Sequence, residues 1–326
     1  MRTYLSFGDW IDLYFKLRQK RYRKLILGFN RQGKERTAAK WNSQLLSSDF
    51  WMIPEVRKRW NEKCTGHPDR EYEDYFVQRY LPQSRNLRML SVGCGSGARE
   101  RKFARFPQFA SIEGIDLAEK RIDEARKEAS VLNLHQVHYH AGDFLNHPFA
   151  CGTYDVVLFH SSLHHFNHLS QLIPEKVLPL LKPGGYLVLF EYTGPNRLQW
   201  SRRQLKRVNE ILSMLPERYR KRRGNSALKR KAYRPGWIRM LLVDPSEAPD
   251  SESILPEIHR HFRTLEEKHV GWNLTHVLFK DIAHNFLQND EETRRWIDFV
   301  FEKEDAFLKE TGHSDAVFGI YQKKES

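Results

Sequence analysis

Between residues 88 and 191, short apolar runs with strand spacing alternate with segments whose apolar positions recur every three or four residues. The strand-like runs are Arg88–Val92, Ser111–Asp116, His135–Ala141, Tyr154–His160 and Tyr186–Glu191. The helix-like segments are Ala98–Phe106, Ala118–Leu132 and Leu169–Leu181, and Lys182-Pro183-Gly184-Gly185 predicts a turn before the fifth strand. This alternation predicts an α/β fold with a parallel, doubly wound sheet. The rhythm breaks over residues 194–250, which are long, basic and helical, with prolines at 195, 216, 235, 245 and 249. It resumes with a strand at Phe262–Val270, helices at Leu274–Leu287 and Glu291–Lys309, and a last strand at Ala316–Gln322. Upstream, residues 8–40 read as a helix with an apolar stripe of Trp10, Leu13, Tyr14, Leu17 and Tyr22. Residues 41–82 are aromatic-rich, with Asp49 placed to cap a helix that has Pro54 near its start, and a second helix from Asp69 to Tyr80. The expected organisation is a helical extension over 1–82, a core over 83–193, a basic helical cap over 194–255 and the rest of the core over 256–326.

Charge sharpens that division. The chain carries a formal +13, yet residues 1–40 hold 11 Lys/Arg against 3 Asp/Glu, and residues 197–239 hold 15 against 2. The remainder is therefore acidic, and the basic character belongs to two local segments that predict an anionic partner or simply solvated helix faces. Three scattered cysteines, Cys64, Cys94 and Cys151, form no CxxC pair, and no apolar run is long enough for a transmembrane helix. Residues 1–24 lack the apolar centre of a signal peptide. A reduced, cytoplasmic protein is expected.

The candidate chemistry begins where the first strand ends. Gly93, Gly95 and Gly97 alternate with Cys94 and Ser96 before a helix, a turn that lets a ligand approach bare backbone. Asp116 ends the second strand, where a carboxylate can accept hydrogen bonds from ribose hydroxyls. Asp143 follows the third strand, where it can accept an exocyclic adenine amine. The glycine spacing departs from the GxGxxG of dinucleotide dehydrogenases, in which Asp143 would have no role.

With these features the chain resembles the class I S-adenosylmethionine-dependent methyltransferases. The likeness rests on Val-Gly-Cys-Gly-Ser-Gly (92–97), Gly-Ile-Asp-Leu-Ala (114–118), Gly-Asp-Phe (142–144), Tyr-Asp-Val-Val (154–157), Ser-Leu-His-His (162–165) and Leu-Lys-Pro-Gly-Gly-Tyr-Leu (181–187). It implies a Rossmann-like, seven-stranded sheet whose last strand is antiparallel, and S-adenosyl-L-methionine as cofactor. It also implies that Gly93, Cys94, Gly95 and Gly97 face the methionine part, Asp116 and Leu117 the ribose, and Asp143 and Phe144 the adenine. The family commonly has an acidic residue where this chain has Ser91, so the amino group of the methionine is expected to rest on a backbone carbonyl or on His160. Glu-Tyr-Thr-Gly-Pro-Asn-Arg-Leu-Gln-Trp (191–200), Asp-Pro-Ser-Glu-Ala (244–248) and Ala-His-Asn-Phe (283–286) resemble a bacterial subgroup associated with glycan and secondary-metabolite gene neighbourhoods.

In that fold the ends of strands four and five overlook the transferred methyl. This nominates His164 or His165 as base and Glu191 as a second base or as the orienter of a histidine. Tyr192, Arg197, Trp200 and Arg203 are the expected acceptor contacts, because arginines grip carboxylates and phosphates and aromatics stack on rings. The acceptor is then a small, glycan-like or natural-product molecule with acidic groups, methylated on oxygen. The rivals are N-methylation of an amine or peptide natural product, RNA methylation, and non-catalytic cofactor binding. Nucleic acid suits the charge but finds no recognisable RNA-binding module, and a peripheral anionic-membrane contact suits the basic helix over 8–40. His164 and His168 stand four apart as metal ligands on a helix do, but no acidic or Cys partner lies at a convincing spacing, so no metal is expected.

Overall fold

The computed structural model describes residues 3–11, 48–224 and 227–324. Most of the predicted stripe over 8–40, namely Leu13, Tyr14, Leu17 and Tyr22, lies outside the described residues. Within them, a seven-stranded sheet forms the centre, in the order β3-β2-β1-β4-β5-β7-β6. The strands are β1 (Leu87–Val92), β2 (Phe109–Asp116), β3 (Val137–Ala141), β4 (Tyr154–His160), β5 (Leu181–Tyr192), β6 (Phe262–Gly271) and β7 (Ala316–Lys323). β1 to β5 are mutually parallel, and β7 runs antiparallel between β5 and β6. The predicted turn at 182–185 is looped out of β5: Tyr154 pairs with Leu181 and Val156 already with Tyr186, while Gly184 takes φ +70°.

The parallel strands read as continuous apolar runs because both faces are covered. Met89, Val156, Leu158, Val188 and Phe190 point into one core, with α1 (Pro54–Thr65), α2 (Tyr72–Tyr80), α3 (Ala98–Phe103) and α4 (Glu119–Val131). Leu90, Val92, Val157, Phe159, Leu187 and Leu189 point into the other, with the helical segment that follows β4. That segment is not one regular helix. It runs as Leu169–Leu172, a π-turn over Ile173–Val177 and Leu178–Leu180, with Pro174 and Pro179 removing two amide donors. The helix expected at Leu274–Leu287 is likewise divided, into Thr275–Phe279 and a 3₁₀ turn at Ala283–Phe286. Buried Lys229 donates to the carbonyls of Val277, Leu278 and Lys280 at 2.9, 2.9 and 2.7 Å and so ends the first piece.

In the cap, α5 (Arg202–Met214) is strongly amphipathic. Gln204, Val208, Ile211 and Leu212 face inward, which leaves its cations on the outer side. The cap is clamped at its base: Ser251 Oγ donates to Gly194 O at 2.8 Å, and Arg197 N donates to Ala248 O.

Candidate active site

Strand order reverses at β1, which has β2 on one side and β4 on the other, and a cleft opens at the C-terminal ends there. It holds about 280 Å³. Gly93, Asp116, Leu117, Asp143 and Phe144 line it from the sheet, Ser162 and His165 from the turn after β4, and Pro245, Ser246 and Pro249 from the cap.

The glycine turn is tied to the next strand. Gly93 N and Cys94 N both donate to Ile115 O, at 2.8 and 3.1 Å. Asp116 accepts from Gly95 N at 2.9 Å and from Ala118 N at 2.8 Å, so one carboxylate fixes both the loop and the start of α4. Burial raises the Asp116 pKa, opposed by those two backbone donors. Gly93 and Gly97 both have positive φ, and a Cβ would collide with Ser162 at the first and with the Tyr139 ring at the second. Asp143 accepts from Leu145 N at 3.1 Å and caps the 3₁₀ turn that presents Phe144.

One residue nominated for the cofactor end sits differently. His160 does not line the cleft. It lies in an aromatic stack, 5.0 Å from the Phe190 ring, with Nδ1 3.1 Å from Tyr72 Oη, and burial holds its pKa well below the ordinary value. Ser91 is buried, and beside it stands a carboxylate the sequence reading missed, Glu100 on α3. Glu100 is 1% exposed, neither of its oxygens receives a well-formed hydrogen bond among the described residues, and burial pushes its pKa up to about 7. The available signal was its being the one acid in Ala-Arg-Glu-Arg-Lys-Phe, three residues after Gly97.

At the other end the histidine pair separates into two roles. Glu191, fully buried at the end of β5, accepts from Ser162 N at 2.8 Å, Leu163 N at 2.6 Å and Tyr192 N at 2.9 Å, and it binds His164 Nδ1. A carboxylate so fully engaged orients the histidine. Burial opposes charge on His164, but Glu191 outweighs it, with Glu247 and Asp244 adding, and the pKa is raised. The His165 ring lies 4.1 Å from that of His164, tilted by 40°; His165 lines the cleft and donates from Nδ1 to Ser246 O at 3.1 Å. His164 and His168 share no helix face: the first lies in the 3₁₀ turn Leu163–His165, and His168 has φ +53°.

The expected acceptor contacts do not gather at the cleft. Trp200 and Tyr192 are buried, 6.0 and 6.1 Å from the His276 ring. Arg203 pairs with Glu310 on the surface. Arg197 is buried, with Nη1 on the carbonyls of Pro245 and Glu247, so it shapes the cap segment that roofs the cleft. That segment brings Asp244 and Glu247 to the histidines, with His164 Nε2 3.9 Å from Glu247 Oε1. The Asp-Pro-Ser-Glu-Ala motif was the available signal for both.

Strand order, topological switch point and cleft together define a Rossmann-like nucleoside-cofactor fold. Residues 90–189 match the family described as methyltransferase domain. The chain is 25% identical over 160 residues to the sterol 24-C-methyltransferase of Candida albicans, covering 48% of this chain and 42% of that protein. It is 32% identical over 114 residues to phthiotriol/phenolphthiotriol dimycocerosates methyltransferase 1 of Mycobacterium ulcerans, covering 35% and 41%. The match thus spans less than half the length of these relatives. Among solved structures, phosphoethanolamine N-methyltransferase 2 of Haemonchus contortus with S-adenosyl-L-methionine aligns over 78% of this chain and 52% of that one, with 16% identity and a TM-score of 0.49. Residues 90–189 thus carry a methyltransferase domain of the class I, S-adenosylmethionine-dependent kind, with S-adenosylmethionine as the cofactor. The residues lining the cleft suit that molecule: a glycine turn at the switch point, a strand-end acid, and an acid with an aromatic beyond it. Among the described residues no helix is long and apolar enough to cross a membrane.

Proposed function

We propose that the whole chain is an active methyltransferase acting on a hydroxyl of a small acceptor that enters between the turn after β4 and the cap. The observation that carries this reading is the His164–Glu191 pair, anchored by three backbone donors and adjoining Ser162 and His165, which line the cleft. Bound S-adenosylmethionine supplies an electrophilic methyl group. Asp116 takes the ribose, Asp143 and Phe144 the adenine, and the Gly93–Gly97 edge the methionine part. Glu191 keeps the His164 proton on Nδ1, so Nε2 is the basic nitrogen that takes the acceptor's hydroxyl proton as the oxygen–methyl bond forms. Pro245, Ser246 and Pro249 roof the site and exclude water. The relatives' names, a sterol and a phthiotriol methyltransferase, support an acceptor with a substantial apolar body.

A second reading, N-methylation, draws on Asp244 and Glu247, which can hold a cationic amine at the same place. Incubating the full chain with methyl-labelled S-adenosylmethionine and panels of hydroxylated lipids, glycans and amines decides between them. An oxygen-linked label on a hydroxyl acceptor, lost in His164→Gln with S-adenosylhomocysteine binding intact, is the expected result. Labelling confined to amines or RNA, or full turnover by the variant, overturns the proposal.

A further inference from the structure

We propose that His165, Asp244 and Glu247 bind a first-row divalent cation at the cap end of the cleft. Each offers one donor atom, and the three atoms lie within 4.8 Å of one another. The surrounding hydrogen bonds orient the set in the way that outer partners orient metal ligands. His165 Nδ1 donates to the Ser246 carbonyl, which makes Nε2 the nitrogen with the lone pair. Asp244 is buried and accepts on Oδ1 from Ser246 N at 3.1 Å and from Ser246 Oγ at 2.7 Å. His164 Nδ1 is committed to Glu191, and its Nε2, 3.9 Å from Glu247 Oε1, stands beside the set without belonging to it.

The local charge suits a cation. Asp244, Glu247 and Glu191 gather around two imidazoles, and the nearby Arg197 gives Nη1 to the main-chain oxygens of Pro245 and Glu247. Mixed imidazole and carboxylate donors favour Mn²⁺, Fe²⁺, Co²⁺ or Zn²⁺ over the all-oxygen preference of Mg²⁺ and Ca²⁺. Three protein ligands leave coordination positions open, as sites that take a substrate oxygen do. Because His165 and Ser246 also line the cleft, the ion would hold the acceptor oxygen beside His164. This last point rests on the hydroxyl-methylation reading; the ion site itself does not.

The test is titration of the untagged, chelator-stripped full chain with Co²⁺, read by visible d–d absorption and by calorimetry, with S-adenosylhomocysteine binding measured on the same sample. One high-affinity equivalent is expected, with an absorption that reports nitrogen ligation. His165→Gln and Glu247→Gln, both at partly exposed positions, should each weaken it at least about 10-fold while S-adenosylhomocysteine still binds. Absence of Co²⁺ binding by a sample that binds S-adenosylhomocysteine overturns the ion site alone, as does binding that neither variant changes. Co²⁺ binding lost in the variants, by a chain that binds no S-adenosylhomocysteine, upholds the ion site and overturns the methyltransferase reading instead.

Discussion

On the β1–β3 side of the cleft, the two strand-end acids are held by neighbours no more than 21 residues away in sequence. Asp116 reaches back 21 residues to Gly95 and forward two to Ala118, and Asp143 reaches two residues to Leu145. On the cap side the same work is done across long separations. Ser162 is held from Glu191, 29 residues on, and His165 from Ser246, 81 residues on. The first side is thus a local motif that folds with its own strands. The second joins the ends of β4 and β5 through Glu191 and reaches the cap only through His165. Damage to one side should therefore leave the other readable.

The sharpest break is Gly97→Val. Its side chain has to displace the Tyr139 ring at a residue with φ +75°, so we expect S-adenosylhomocysteine binding to vanish in calorimetry. Retained binding would show that the glycine turn is far more pliant than drawn. Asp116→Ala removes the partner of two backbone donors as well as the proposed ribose acceptor, and about a 100-fold loss of cofactor affinity is expected. Glu191→Gln tests the opposite side: turnover should fall about 100-fold with cofactor affinity changed only a few-fold. Equal losses in both would mean that the two sides are coupled through β4 and β5.

Glu100→Gln separates stability from binding. A carboxyl whose folded pKa is about 7, against an ordinary 4.5, is protonated in both states at low pH. As pH rises between those values the unfolded chain ionises first, so this group's contribution to stability falls and is fully lost above about 7. The variant should therefore melt higher than the parent at pH 8, by on the order of 3 kcal/mol, with the gap shrinking toward pH 4.5. A gap independent of pH would show that Glu100 ionises freely. The smallest effect is expected from Arg197→Lys, about 1 kcal/mol from the bonds to Pro245 and Glu247, together with a raised acceptor KM. An unchanged KM would separate the cap from acceptor binding.

This division explains what could be read from the chain. The glycine turn, Asp116 and Asp143 were legible because strand end, turn and helix start lie side by side in sequence. The parallel strands were legible through their apolar runs, and only their margins moved, as where β2 begins at Phe109. The division of the helix at 274–287 was not legible, because the residue that ends it, Lys229, sits about fifty positions away. Trp200, Arg197 and Arg203 were assigned to the acceptor by residue type alone. Burial sends the first two into the cap's own packing, and the i, i+4, i+7 period of Gln204, Val208 and Ile211 turns the cations of α5 outward. The pairing of His165 with Asp244 and Glu247 depends on a fold-back that no local pattern encodes.

The clamp at the base of the cap has a consequence for how such a chain can diversify. With Gly194 bonded to Ser251 and Arg197 to Ala248, the excursion leaves and re-enters the core through one closed stem. The entropy of closing a loop grows only with the logarithm of its length, so lengthening the exposed turns beyond the stem costs the core little, whereas Lys229 and Gln204, which bond to residues 273–280 and to Asp315, have to be kept. An exchange of the cap between relatives therefore has to carry those contacts with it, and is expected to leave affinity at the cofactor end unchanged.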